Sequence, residues 1–196
     1  MMETILSLCL GLGLSAACGF RVFVPLVVVS VASLTGHLHL AEGFQWIGTY
    51  PALVAFAAAT VLEIAAYYIP WVDNILDTVA TPAAVIAGTL ITAAQVTEIS
   101  PLLKWSLALI AGGGVAGMVQ SATVFLRGVS SVGTGGAANP LVATGELAGS
   151  LITSFLGLLV PMLAALLVMI LAVVVGVRLW RRRAPPATKA ASGSPA

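Results

Sequence analysis

Apolar residues gather into five long stretches, separated by short runs of polar residues, glycine and proline. The first covers 4–34 and is interrupted at Gly19-Phe20-Arg21 and at Pro25. The second covers about 50–69, between Pro51 and Pro70, and the third about 78–96, with Pro82 near its start. The fourth covers about 101–126, after Ser100-Pro101, and carries "AGGGVAG". The fifth covers about 144–180 and is interrupted at Pro161. A bilayer-spanning helix needs roughly 20 apolar residues at about 1.5 Å each. Stretches two, three and four each fit one such helix. The first and fifth are too long for one straight span, so each predicts either a tilted helix with an extension or a pair of half-helices. The pattern therefore predicts an all-α integral membrane protein with five to seven transmembrane or half-membrane helices. The ten-residue alternation of an outer-membrane barrel is absent. Residues 1–183 read as a single transmembrane domain. Residues 184–196, "APPATKAASGSPA", read as a disordered cytoplasmic tail.

Composition agrees with the pattern. Of 196 residues, 60% are hydrophobic and 8% charged, with mean hydropathy +1.10. A soluble domain carries about 25% charged residues, enough to solvate its surface. Five of the eight Lys and Arg residues lie at or after Arg178, just past the last apolar stretch. A basic block in that position is expected on the cytoplasmic side of the plasma (inner) membrane. With five crossings, the N-terminus and the Asp73–Asp77 loop would then lie outside. The acidic Glu3 and an apolar run that continues past any cleavage site argue against a cleaved leader.

Charges inside the apolar stretches are the candidate chemistry. A centred Arg, Lys or Asp costs about 2.5–3.5 kcal/mol on insertion scales, so it normally meets a partner or a water-filled cavity. Arg21 is the sole charge between Thr4 and Leu34 and sits at the break made by Gly19 and Pro25. A broken helix there frees backbone N–H groups beside a guanidinium, a combination that binds carboxylate or phosphate. The other reading is an interfacial arginine that snorkels. Glu63 lies deep in the second stretch, and on a continuous helix Glu63, Tyr67, Pro70, Asn74 and Asp77 would share one face. That polar stripe, with Asp73, Asn74 and Asp77 at its outer mouth, suits a proton or cation path. It equally suits a structural Glu63 paired with Arg21. Glu146 follows a Gly-, Ser- and Thr-rich stretch, 127–145, that contains Asn139-Pro140. This stretch reads as an external loop, with a re-entrant segment as the alternative.

Other features carry less. Residues 5–24 and 104–126 share a Ser-Leu start, a glycine-rich middle and a Val-Phe end. Either this echo marks an inverted repeat, as in transporters with interrupted helices, or Gly, Ala, Leu and Val align by chance. Cys9 and Cys18 read as small buried hydrophobes, and His37 and His39 with Glu42 read as loop residues rather than metal ligands. Trp46, Tyr50, Tyr67, Tyr68, Trp71 and Trp180 fall near stretch ends and read as an interfacial belt. Gly113 with Gly117, and Gly145 with Gly149, have the spacing that permits close helix packing.

Four stretches, "GFRVFVPL" (19–26), "EIAAYYIPWVDNILDTVATPAAVIAGTL" (63–90), "PLLKWSLALIAGGGVAGMVQ" (101–120) and "GGAANPLV" (135–142), resemble the bacterial membrane family catalogued as domain of unknown function 4126. The resemblance implies that Arg21, Glu63, Asp73, Asn74, Asp77, Asn139 and Pro140 belong to recurring motifs. It implies no substrate. The expectation is a small inner-membrane transporter or channel for a small solute or ion, with Arg21, Glu63, Asp73, Asn74, Asp77, Asn139 and Glu146 forming its binding site. The alternative is a non-catalytic structural or assembly protein in which Arg21 and Glu63 only pair. No enzyme motif, cofactor site or metal site is legible. The expected partners are the bilayer, copies of the same chain and an unidentified small solute or ion, with no nucleic acid.

Overall fold

The computed structural model describes residues 2–69, 72–97 and 99–183, with all side chains except those of 73, 74, 175, 176 and 179–183. The 184–196 tail, Pro70, Trp71 and the side chains of Asp73, Asn74 and Trp180 lie outside the described residues. Every regular element among the described residues is helical: α1 (Met2–Phe20), α2 (Val24–Leu34), α3 (Tyr50–Tyr67), α4 (Val72–Gln95), α5 (Pro101–Leu107), α6 (Gly114–Thr134), α7 (Asn139–Leu159) and α8 (Pro161–Arg183). A π-helical segment, Ala108–Gly113, joins α5 to α6, so Pro101–Thr134 is one continuous helix. Among the described residues, five helices are long and apolar enough to cross a membrane. Large apolar side chains such as Leu62, Ile75, Ile110, Phe125, Val132 and Leu141 point outward. In water that surface would aggregate; in lipid it is solvated.

Local chemistry sets the helix ends. Thr49 and Ser100 cap α3 and α5 by accepting from Ala52 N and Leu103 N, each followed by a proline at the first turn. Two glycines with positive φ, Gly135 at 62° and Gly136 at 89°, make the tight turn between α6 and α7. The stretch 127–145 is therefore helix, turn, helix, and not the external loop its composition suggests. Its two threonines bond back along their helices instead of breaking them, Thr134 Oγ1 to Ser130 O at 2.8 Å and Thr144 Oγ1 to Pro140 O at 2.7 Å. The third stretch likewise begins earlier than expected, at Val72, and runs straight through Pro82.

The helices alternate in direction, and α1 lies at the centre. Its middle, Gly13 to Gly19, is buried throughout. Thr92 Oγ1 donates to Gly11 O at 3.2 Å, and Ser150 Oγ to Ala17 O at 3.0 Å. With Gly88 facing Ser15 and Gly157 facing Gly13, these contacts run α4 and α7 antiparallel to α1. α8 runs with α1: Ala164 faces Gly13, and Val168, Leu171 and Ala172 lie beside Phe20. The first long stretch is a full helix and a returning half-helix. The 11 residues of α2 reach only about 16 Å. The chain then turns through 35–49, where Ala41 N donates to Ala94 O at 2.7 Å, before entering α3.

That return corrects two expectations. Because α2 turns the chain round, the α3–α4 turn near Asp73–Asp77 shares one end of the bundle with the end of α1 and the basic end of α8. It is not on the opposite face. The two echoing stretches also lie side by side and point the same way. Ser15 Oγ donates to Gly112 O, and Gly19 packs on Ala116 and Val119. Equivalent helices of an inverted repeat would run antiparallel. A second echo has the same sense. "AGTLIT" (87–92) in α4 and "AGSLIT" (148–153) in α7 both pack on α1, each through its glycine.

Candidate functional site

The break between α1 and α2 builds the site. Arg21 N still bonds to Ala17 O, completing α1, and Val27 N to Phe23 O opens α2. Between them Val22 and Phe23 have N–H groups with no acceptor in either helix, and Pro25 has no donor to offer. No local side chain caps α2. Glu63 on α3 does so instead. Its Oε1 accepts from Val22 N at 2.9 Å and its Oε2 from Phe23 N at 3.2 Å. Two successive N–H groups thus cradle one carboxylate, in the manner of an anion-binding nest.

Arg21 turns the other way. Its Nη2 donates to Ala143 O at 2.9 Å and lies 3.4 Å from Glu146 Oε2. No ion pair joins Arg21 to Glu63 among the described residues, so the pairing offered as the alternative reading is not a direct one. The backbone at the break takes Glu63, and Glu146 takes the arginine. A second arginine completes the cluster. Arg127 on α6 bonds Asp77 on α4 through Nη1 and Glu146 on α7 through Nη2. Both guanidinium groups lie over the Tyr67 ring, Arg21 4.0 Å from its centroid and Arg127 4.1 Å. The Tyr67 hydroxyl donates to Asp77 Oδ1 at 3.2 Å. Tyr67 is therefore a member of the cluster and not part of an interfacial belt.

Burial makes the cluster unusual. Arg21 is 1% exposed, Arg127 2%, Tyr67 and Glu146 4%, Asp77 7% and Glu63 8%. Fully ionised, three carboxylates and two guanidinium groups leave one net negative charge. Four atoms of the cluster also have no hydrogen-bond partner among the described residues: Arg21 Nε and Nη1, Arg127 Nε and Glu146 Oε1. A buried polar group left in this way costs about 1–3 kcal/mol, more when charged.

The cluster sits towards one end of the bundle. Glu63 is four residues before the end of α3, Asp77 five after the start of α4 and Glu146 seven after the start of α7. At about 1.5 Å per residue these offsets are about 6–10 Å, with about 20 Å of α3 and α7 on the far side. Of the residues singled out in the sequence, Arg21, Glu63, Asp77 and Glu146 thus come together. Asn139 lies about 10 Å along α7 from Glu146, where its Nδ2 donates to Ser131 Oγ at 2.9 Å across the α6–α7 turn. Among the described residues no group of three or more His, Cys, Asp or Glu could hold a metal ion.

Sequence reading missed Arg127 and the role of Tyr67. A signal existed. Ala116, Gln120, Thr123 and Arg127 all face inward on α6, at helical spacing. Asn139, Ala143, Glu146, Ser150 and Ser154 do the same on α7.

Every member of the cluster falls within residues 8–182, the span matched by the family model described as domain of unknown function (DUF4126). The chain belongs to the DUF4126 family. No curated protein and no solved structure matches it. The description of DUF4126 assigns no chemistry, so the reading of the site rests on its geometry.

Proposed function

We propose that this DUF4126 protein is a small transporter or channel of the bacterial inner membrane, moving a small ion or solute through the arginine–carboxylate cluster. The observation that carries this reading is the unsatisfied state of the buried charges. A cluster serving only to hold helices gains most when every donor and acceptor is paired. Here two guanidinium groups and Glu146 each keep a buried atom unpartnered among the described residues. Such atoms are poised for an ion, a proton or a solute. With the basic end of α8 in the cytoplasm, the cluster lies nearer the cytoplasmic face. The family's small chains are proposed to assemble as homo-oligomers in the bilayer.

Flux tests the reading. Purified protein in liposomes should carry at least one small ion or solute faster than protein-free vesicles. Glu63→Gln and Arg21→Ala should change that flux. If both variants are folded and move every solute at the wild-type rate, these residues form no transport site.

A further inference from the structure

We infer that the Val22–Phe23 nest is the binding site of a small planar monoanion of carboxylate type, and that Glu63 occupies it until a proton releases it. This rests on the transporter reading and names its cargo class. The nest now holds a two-oxygen anion, the Glu63 carboxylate, with one backbone N–H on each oxygen. Arg21, the residue before Val22, lies 4.0 Å from the ring of Tyr67, one turn along α3 from Glu63, and keeps Nε and Nη1 unpartnered among the described residues at 1% exposure. A preformed seat of two backbone N–H groups that already holds a carboxylate, with a buried guanidinium nearby, suits a free oxyanion as well as a side chain.

Charge then fixes the coupling. Glu146 is held by both guanidinium groups, and Asp77 by Arg127 and Tyr67. Glu63 is the one carboxylate of the three with no guanidinium in contact, so it is the one free to leave. The groups that sense it are Arg21 and Cys18 at the end of α1 and Arg127 on α6. Tyr67 lies one turn on along α3, and beyond it are Asp77 on α4 and Glu146 on α7. Entry of an anion with Glu63 still ionised would take the buried cluster from one net negative charge to two, a costly change in a low-dielectric site. Entry with one proton delivered to the Glu63 carboxylate leaves the net charge unchanged. The anion takes the two N–H bonds, Glu63 carries the proton, and both leave together. Each monoanion moves with one proton.

Formate is the probe. Binding of formate to the purified wild-type chain, read as a saturable rise in thermal stability and by calorimetry, should weaken about tenfold per pH unit as pH rises, the slope for one proton taken up per anion. Glu63→Gln cannot keep a carboxylate in the nest, and its formate affinity should be flat with pH. Sulfate, too large and doubly charged, should not compete. Formate binding that is independent of pH in the wild type overturns the coupling. No saturable binding by either the wild type in acidic buffer or a helical, monodisperse Glu63→Gln overturns the site. Should Glu63→Gln not fold, the wild-type slope decides alone. Binding with this slope but no flux in liposomes would refute the transporter reading and leave the anion site standing.

Discussion

Replacing Arg127 by methionine is the sharpest probe of the cluster. Methionine keeps an unbranched apolar stem but stops two atoms short of the guanidinium end, so the change removes the charge and every donor while keeping most of the stem. Arg127 contacts carboxylates on two other helices, Asp77 on α4 and Glu146 on α7, and lies 4.1 Å above the Tyr67 ring. Removing one partner of a buried ion pair costs about 3–5 kcal/mol, mostly through the charge left behind. For a chain of this length each kcal/mol lowers the melting midpoint by about 2–4 °C. The expected drop is roughly 6–20 °C, read by tryptophan fluorescence in detergent. The second arm is Arg127→Met with Glu146→Gln. Neutralising the stranded carboxylate should recover about 1–3 kcal/mol, so the two losses will not add. A single variant within about 2 °C of wild type would refute the reasoning. So would a double variant whose losses add within about 0.5 kcal/mol, since residues in one network are not independent.

Three further outcomes are expected. Tyr67→Phe keeps the ring under the guanidinium groups and loses only the bond to Asp77, costing about 1 kcal/mol; Tyr67→Leu also loses both cation–π contacts and costs about 2 kcal/mol more, so equal denaturation midpoints would show the stacking to be worthless. A Cβ at Gly19 would lie 2.5 Å from Ala116 O and from Val119 Cβ, so Gly19→Val should push α1 off α6 and abolish monodisperse protein in size-exclusion chromatography, whereas a well-behaved Gly19→Val would contradict the close packing. Gly135→Val forces a β-branched residue to a φ of 62° and should cost about 1–3 kcal/mol, with Gly135→Asn milder in the same denaturant titration; identical stabilities would argue against the turn.

The membrane class was legible because too few charges remain to solvate a surface, whatever the topology. The break at Arg21 was legible for a similar reason: Gly19, Arg21 and Pro25 each disfavour an uninterrupted apolar helix. What the chain does after a break was not legible, because half-helix and tilted-helix readings have the same hydropathy. Tertiary contacts, such as those of Ser33 with Gly48 and of Val22 with Glu63, reveal that α2 returns. Arg127 escaped because the residues after it, "GVSSVGTGG", have low helix propensity and read as a loop. Tertiary packing against α4 and α7 overrides that propensity and carries α6 two turns further. The partner of Glu63 was misjudged for a different reason. Charge complementarity points to Arg21, but the stranded N–H groups of Val22 and Phe23 are the nearer unmet need. Backbone donors leave no trace in a sequence.

The shared direction of α1 with α6, and of α4 with α7, limits how such a molecule can change state. In a transporter of inverted halves, exchanging the two halves' conformations converts an outward-facing form into an inward-facing one. Halves that point the same way have no such exchange available: swapping them returns a molecule open to the same compartment. On the transporter reading, parallel halves would change access by rocking against each other rather than by exchanging conformations. The returning half-helix α2 would move against a single tie at its start, the Glu63 carboxylate on the N–H groups of Val22 and Phe23.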